Sequence, residues 1–188
     1  MRTVSRLTVA SLVAAGALVL APGSASAQPC DFLTGGGFIV RPNGAKANFG
    51  VAGGCKKGSP TFGHLTYTDH GIGLRVQWIS VTAYFFDLTG QTLDGTRFIC
   101  GRARTNLFGD VDWVVRARDV GEPGRNDEFS LQLARAGQVV YSTFPDPDVT
   151  LGGPGSGGGN IQRHKPNRST MGAFSQDPNT CPAVFARF

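Results

Sequence analysis

Three carboxylates crowd one short stretch. Asp119, Glu122 and Asp127 fall within Asp119-Val120-Gly121-Glu122-Pro123-Gly124-Arg125-Asn126-Asp127. Hard oxygen ligands on a turn, with glycines that let carbonyls swing inward, suit calcium. The spacing is not that of an EF-hand loop, and Asp, Gly, Pro and Asn form turns in their own right. A plain acidic turn is the first expectation, and calcium held by these three residues is the metal alternative. Asp110 with Asp112, and Asp146 with Asp148, offer the same chemistry with fewer ligands. No other cofactor is expected.

His64 and His70 share one face of a β-like segment but stand about 20 Å apart if it is extended, too far to share a metal. His164 is the third histidine, and structural or surface roles are expected for all three. For hydrolysis, the chain has no Gly-x-Ser-x-Gly elbow and no His-Glu-x-x-His. Asp69 and Asp87 would serve as a glycosidase pair only if the fold brought them to about 5–10 Å. No catalytic residue is assigned.

Cys30, Cys55, Cys100 and Cys181 are the chain's four cysteines, with no Cys-x-x-Cys pair and no adjacent histidine. That spacing does not suit zinc. An even number of cysteines in an exported chain suits disulfides, and four allow three connectivities. The pairing expected is Cys55–Cys100 within the domain and Cys30–Cys181 joining its ends.

Export is expected from the leader. Arg2 and Arg6 precede an apolar stretch, Leu7 to Leu20, then Pro22, Gly23 and the small-x-small triplet Ala25-Ser26-Ala27. This is a signal peptide pattern over residues 1–27 with cleavage before Gln28. The stretch is shorter than a membrane span. Pro29 before Cys30 argues against lipidation. Cleavage leaves 188 − 27 = 161 residues, and the formal charge drops from +5 to +3 with Arg2 and Arg6 gone. That length suits one domain.

The elements that must position these residues are strands. After residue 28 no helical period lasts, and β-branched and aromatic residues come in short runs between turn signals. The runs are Gly36–Arg41, Ala45–Val51, Thr61–Thr68, Leu74–Phe86 (with room for a bulge), Thr96–Thr105, Trp113–Asp119, Glu128–Ala134, Val139–Thr143 and Asn160–His164. Alternation puts Phe129, Leu131 and Leu133 inward with Ser130 and Gln132 outward, and Trp113, Val115 and Ala117 inward with Arg116 and Arg118 outward. The expected fold is all-β, an antiparallel β-sandwich of Ig-like or jelly-roll type. It spans residues 28–166, and an irregular tail, 167–188, is pinned by Cys181.

Gly152 to Gly159 lacks the lysine and the following helix of a phosphate loop, so it reads as a connection. Arg102, Arg104, Arg116 and Arg118 alternate on two segments and would form a basic stripe or a solvated face. Low charge density and the absence of a recognition motif argue against nucleic-acid binding. The chain is expected not to span a membrane. The terminal Phe188 suits an outer-membrane barrel, but the short segments do not.

Four stretches in order carry a resemblance: Thr34-Gly35-Gly36-Gly37-Phe38-Ile39, Gly44-Ala45-Lys46-Ala47-Asn48-Phe49-Gly50, Asp119 to Phe129, and Gly157-Gly158-Gly159-Asn160-Ile161-Gln162-Arg163-His164-Lys165. Over residues 34–165 the chain resembles a β-rich domain of bacterial secreted and surface proteins, of the kind that follows choice-of-anchor domains. The resemblance implies a secreted accessory domain without enzymatic activity. The expected function is binding or structural support outside the cell, as a monomer. The partner would be an extracellular protein or polysaccharide, met through loop aromatics such as Phe108 or Phe144. The alternative is a secreted hydrolase acting on an extracellular polymer.

Overall fold

Short turns dictate which strands meet. In a computed structural model of the chain, residues 30–56, 58–85, 95–144, 149–170, 172–175 and 181 are described. The leader lies outside them, as do Asp87, Asp146 and Asp148. The described residues form nine strands and no helix: β1 (Phe32–Val40), β2 (Lys46–Lys56), β3 (Ser59–Asp69), β4 (Leu74–Phe85), β5 (Thr96–Thr105), β6 (Gly109–Arg118), β7 (Glu128–Arg135), β8 (Gln138–Ser142) and β9 (Gly159–His164). Ala136 and Gly137, at φ 50° and 75°, make the two-residue β7–β8 hairpin, a turn that needs positive φ at both positions.

The expected sandwich gives way to a single sheet. All nine strands lie in one antiparallel sheet of order β8-β7-β6-β5-β4-β3-β2-β1-β9. Strands β1 to β8 each pair with their sequence neighbours, and β9, after the long connection from β8, crosses to pair with β1 at the far edge of the same sheet, where a sandwich would need a second stacked sheet. The sheet curls into a half-barrel. The Phe49 ring on β2 stacks on Phe129 of β7 at 3.9 Å between centroids, although four strands separate them in the sheet. Segment 149–152 bridges the open side. Phe129 N donates to Val149 O, Leu151 N to Asp127 O and Gly152 N to Phe38 O. The concave side holds Leu33, Ile39, Val51, Leu65, Tyr67, Ile99, Trp113, Leu131 and Leu133, all buried.

The alternation read from β6 and β7 holds. Ser130 and Gln132 do face away from Phe129, Leu131 and Leu133, but both are buried rather than solvated. They share the outer face with Val114 and Cys100, which fall in one cross-strand row with Gln132. The Cys100–Cys181 disulfide ties the chain's end to that row, with Cα atoms 5.5 Å apart. The other bond is Cys30–Cys55, Cα atoms 5.8 Å apart. The expected pairing was therefore wrong in both halves. β1 begins at Phe32 rather than Gly36, and Phe32 faces Gly54. This brings Cys30 and Cys55 to the adjoining ends of paired strands. Two disulfides fit an oxidising, extracellular environment, and no described helix is long and apolar enough to cross a membrane.

Candidate functional site

The acidic turn gathers at the seam of the half-barrel. Asp127 is fully buried. One carboxylate oxygen accepts Val120 N at 2.9 Å and the other accepts Ile161 N at 2.7 Å. Its backbone N donates to Gly124 O, and its carbonyl accepts Leu151 N. One residue thus joins the β6–β7 loop, β9 and segment 149–152. Asp119 accepts Arg163 N at 2.8 Å, and Glu122 accepts the Asn160 side-chain amide at 3.2 Å. The three calcium candidates each accept an N–H group from the segment 160–163. No group of three or more metal-ligating side chains occurs among the described residues. Ile161 and Arg163 lie on β9, the sheet's edge. Asp127 and Asp119 occupy two edge N–H groups that would otherwise template pairing with another chain.

Glycine makes the seam possible. A Cβ on Gly37 (φ 156°) would collide with Gly158 O, and one on Gly35 would sit 2.7 Å from Ile161 Cγ1. Three of the four stretches behind the family resemblance, the first, third and fourth, converge here.

The remaining candidates disperse. His70 bonds Asn48 Oδ1 at 3.0 Å, and His164 bonds the Thr34 hydroxyl at 2.9 Å. Asp69 is buried, accepting the Tyr141 hydroxyl at 2.8 Å beside Arg41 at 3.4 Å. The basic stripe is charge-paired instead. Arg116 and Arg118 both reach Glu128 at 2.7 Å, and Arg104 reaches Asp110 at 2.9 Å. That bond holds the Asp110 carboxyl below its usual range. Arg102 stands opposite Asp112. Phe108 and Phe144 are half-buried, Phe108 against the core. Among the described residues the most exposed aromatics are Phe62 and Trp78.

Two buried polar networks brace the interior. Asp31 accepts Arg97 Nε at 3.0 Å and the Tyr84 hydroxyl at 2.6 Å. Tyr67, Tyr141, Asp69 and Arg41 form the second. Burial, then the neighbouring Asp31 carboxylate, pushes the Tyr84 phenol far up. Burial, then the bonded Tyr67, does the same to Tyr141.

Phe62 belongs to a cleft that the alternation pattern does not reveal. His164 on β9, Phe32 on β1, Gly54 on β2 and Phe62 on β3 form one cross-strand row on the convex face. Gly54 has no side chain, so Phe32 leans over it, where a Cβ would collide with its ring. The Phe32 centroid then lies 5.7 Å from that of Phe62 and 5.8 Å from that of His164. Lys56 Nζ sits 4.4 Å from the Phe62 centroid, a cation–π contact. The tail supplies the opposite wall. Asn167 Oδ1 accepts the Ser169 N–H at 2.8 Å and its hydroxyl at 2.6 Å, and the Thr170 hydroxyl accepts Asn167 N. Behind this turn Cys30 N donates to Gly172 O, and Ser175 N to Tyr84 O, which clamp the tail to the sheet. The cleft is an open one of about 350 Å³, with a second, shallower hollow of about 270 Å³ beside it lined by Lys56, Ser59, Thr61 and Phe62. The aromatic content of Phe32 and Phe62 was legible in the sequence. Their meeting across Gly54 was not, because it depends on strand register.

No family model, curated protein or solved structure matches this chain.

Proposed function

We propose that this chain is an exported binding module, without enzymatic activity, that engages an extracellular ligand through the Phe32–Phe62 cleft. The observation that carries this reading is the cleft itself: an aromatic floor, a polar wall, and Phe62 left 39% exposed. Concave sites with apolar floors and a few placed polar groups are where ligands bind. The seam, by contrast, spends its carboxylates on backbone N–H groups, which supports a structural role there. Hydrolysis of a polymer by the usual route needs paired carboxylates at the substrate, and the described cleft walls carry none.

The test is binding of residues 28–188 to arrays of extracellular glycans and proteins, alongside Phe62→Ala. Truncating an exposed ring leaves the fold intact. Loss of a captured ligand in the variant supports the reading, and unchanged capture sinks it.

A further inference from the structure

Resting on that reading of the cleft, we infer that its ligand is a carboxylate-bearing sugar, a uronic-acid unit of an acidic polysaccharide. A sugar ring has an apolar C–H face and a rim of hydroxyls. The cleft has the complementary order. Phe32 and Phe62 form a two-ring platform tilted by 36°. Hydroxyls and amides flank it on both sides: Ser59 and Thr61, bonded to each other at 2.6 Å, and Asn167 and Ser169 on the tail. The Asn167–Thr170 turn is fixed by its own hydrogen bonds, so little ordering cost falls on the ligand.

Charge selects the kind of sugar. Lys56 holds its ammonium over the face of the Phe62 ring, 4.4 Å from its centroid, and is the cation that lines both hollows and can meet a sugar's exocyclic carboxylate. Neither hollow has an acidic side chain on its wall. Lys165 and Arg168, both exposed, adjoin the wall residues His164 and Asn167 in sequence and add positive charge to that segment. The nearest carboxylate in sequence, Asp31, is buried and occupied by Arg97. A peptide added as an extra strand would use the β9 edge, where Asp119 and Asp127 already fill two N–H groups.

Three uronic polymers, polygalacturonate, alginate and hyaluronan, are titrated against residues 28–188, together with fully methyl-esterified polygalacturonate and dextran sulfate. The expected result is binding to at least one uronic polymer. For polygalacturonate, esterification weakens it about fivefold, the upper end of what one exposed ion pair contributes. Lys56→Gln reproduces that loss, Lys56→Arg restores binding, and Phe62→Ala removes it. Equal affinity for acid and ester, with Phe62→Ala still abolishing both, overturns the carboxylate assignment and leaves the cleft as the binding site. Equally tight binding of dextran sulfate that ignores Phe62→Ala overturns both. Silence from all three uronic polymers overturns the sugar assignment. So does capture of an acidic peptide that depends on Phe62.

Discussion

Replacing Asp127 with alanine should cost more stability than any other single change in the acidic turn. The substitution keeps the backbone bonds to Gly124 and Leu151 but removes both acceptors of Val120 N and Ile161 N. Asp127 and its bond to Ile161 N are buried, so water does not replace that bond, while the bond to Val120 N is part-buried and sets the lower end of the cost. Hydrogen bonds to a charged acceptor contribute about 1.5–3 kcal/mol each, and a buried orphan donor carries its full desolvation cost. Two such bonds give roughly 3–6 kcal/mol, a large part of the ~5–15 kcal/mol by which domains are stable. Asp127→Asn keeps one acceptor but sets an NH₂ group against the second N–H, for about 2–4 kcal/mol. Asp119→Ala is the control. Its bond to Arg163 N is solvent-accessible, and its loss should cost about 1 kcal/mol or less. Urea unfolding followed by fluorescence reads these values, with buried Trp113 as the reporter. Asp127→Ala losing less than about 1 kcal/mol would refute the clasp. Wild-type midpoints should also be the same with calcium and with chelator. A calcium site instead stabilises in proportion to RT ln(1 + [L]/Kd), and a midpoint that falls on chelation would restore the metal reading.

Two further outcomes follow from the buried networks. Asp31→Ala strands the Arg97 guanidinium, largely buried, beside Tyr84, and should destabilise by about 3–5 kcal/mol. Asp31→Leu with Arg97→Met should cost clearly less, and calorimetry finding the double change as costly as the single would show that the stranded charge is not the cause. Alkali should also unfold the chain. Burial raises the pKa of both Tyr84 and Tyr141 in the folded state. The unfolded phenols release protons above about pH 10 while the folded ones hold theirs, so stability is intact below that pH and falls above it by roughly 1.4 kcal/mol per unit per tyrosine. Tyr84→Phe should flatten the decline, and a slope unchanged in that variant would disprove its origin.

Strand positions were legible because a strand writes its own period. Phe129, Leu131 and Leu133 alternate with polar residues whatever lies across from them, as do Trp113, Val115 and Ala117, and the bulged strand at Leu74 was visible too. The expected runs stop short of Gly35, Gly53 and Gly54, residues of low strand propensity, whereas all three sit inside β1 and β2. That misreading hid the Cys30–Cys55 bond and the Phe32–Phe62 row together, since both depend on Phe32 facing Gly54. The acidic turn was legible as a cluster. Its use was not, because the donors that fill Asp127 come from Val120 and Ile161, one local and one far along the chain.

The sequence by itself determined that the chain is β-rich, which side chains of β6 and β7 face the concave side, and that its cysteines suit an oxidising environment. Periodicity and composition are local properties, set residue by residue. Only the tertiary structure decided that nine strands form one curled sheet, which cysteines pair, and that a lysine and two phenylalanines share a cleft. Those follow from register and curl, which are fixed by close backbone approach at glycines and by contacts between residues far apart in the chain.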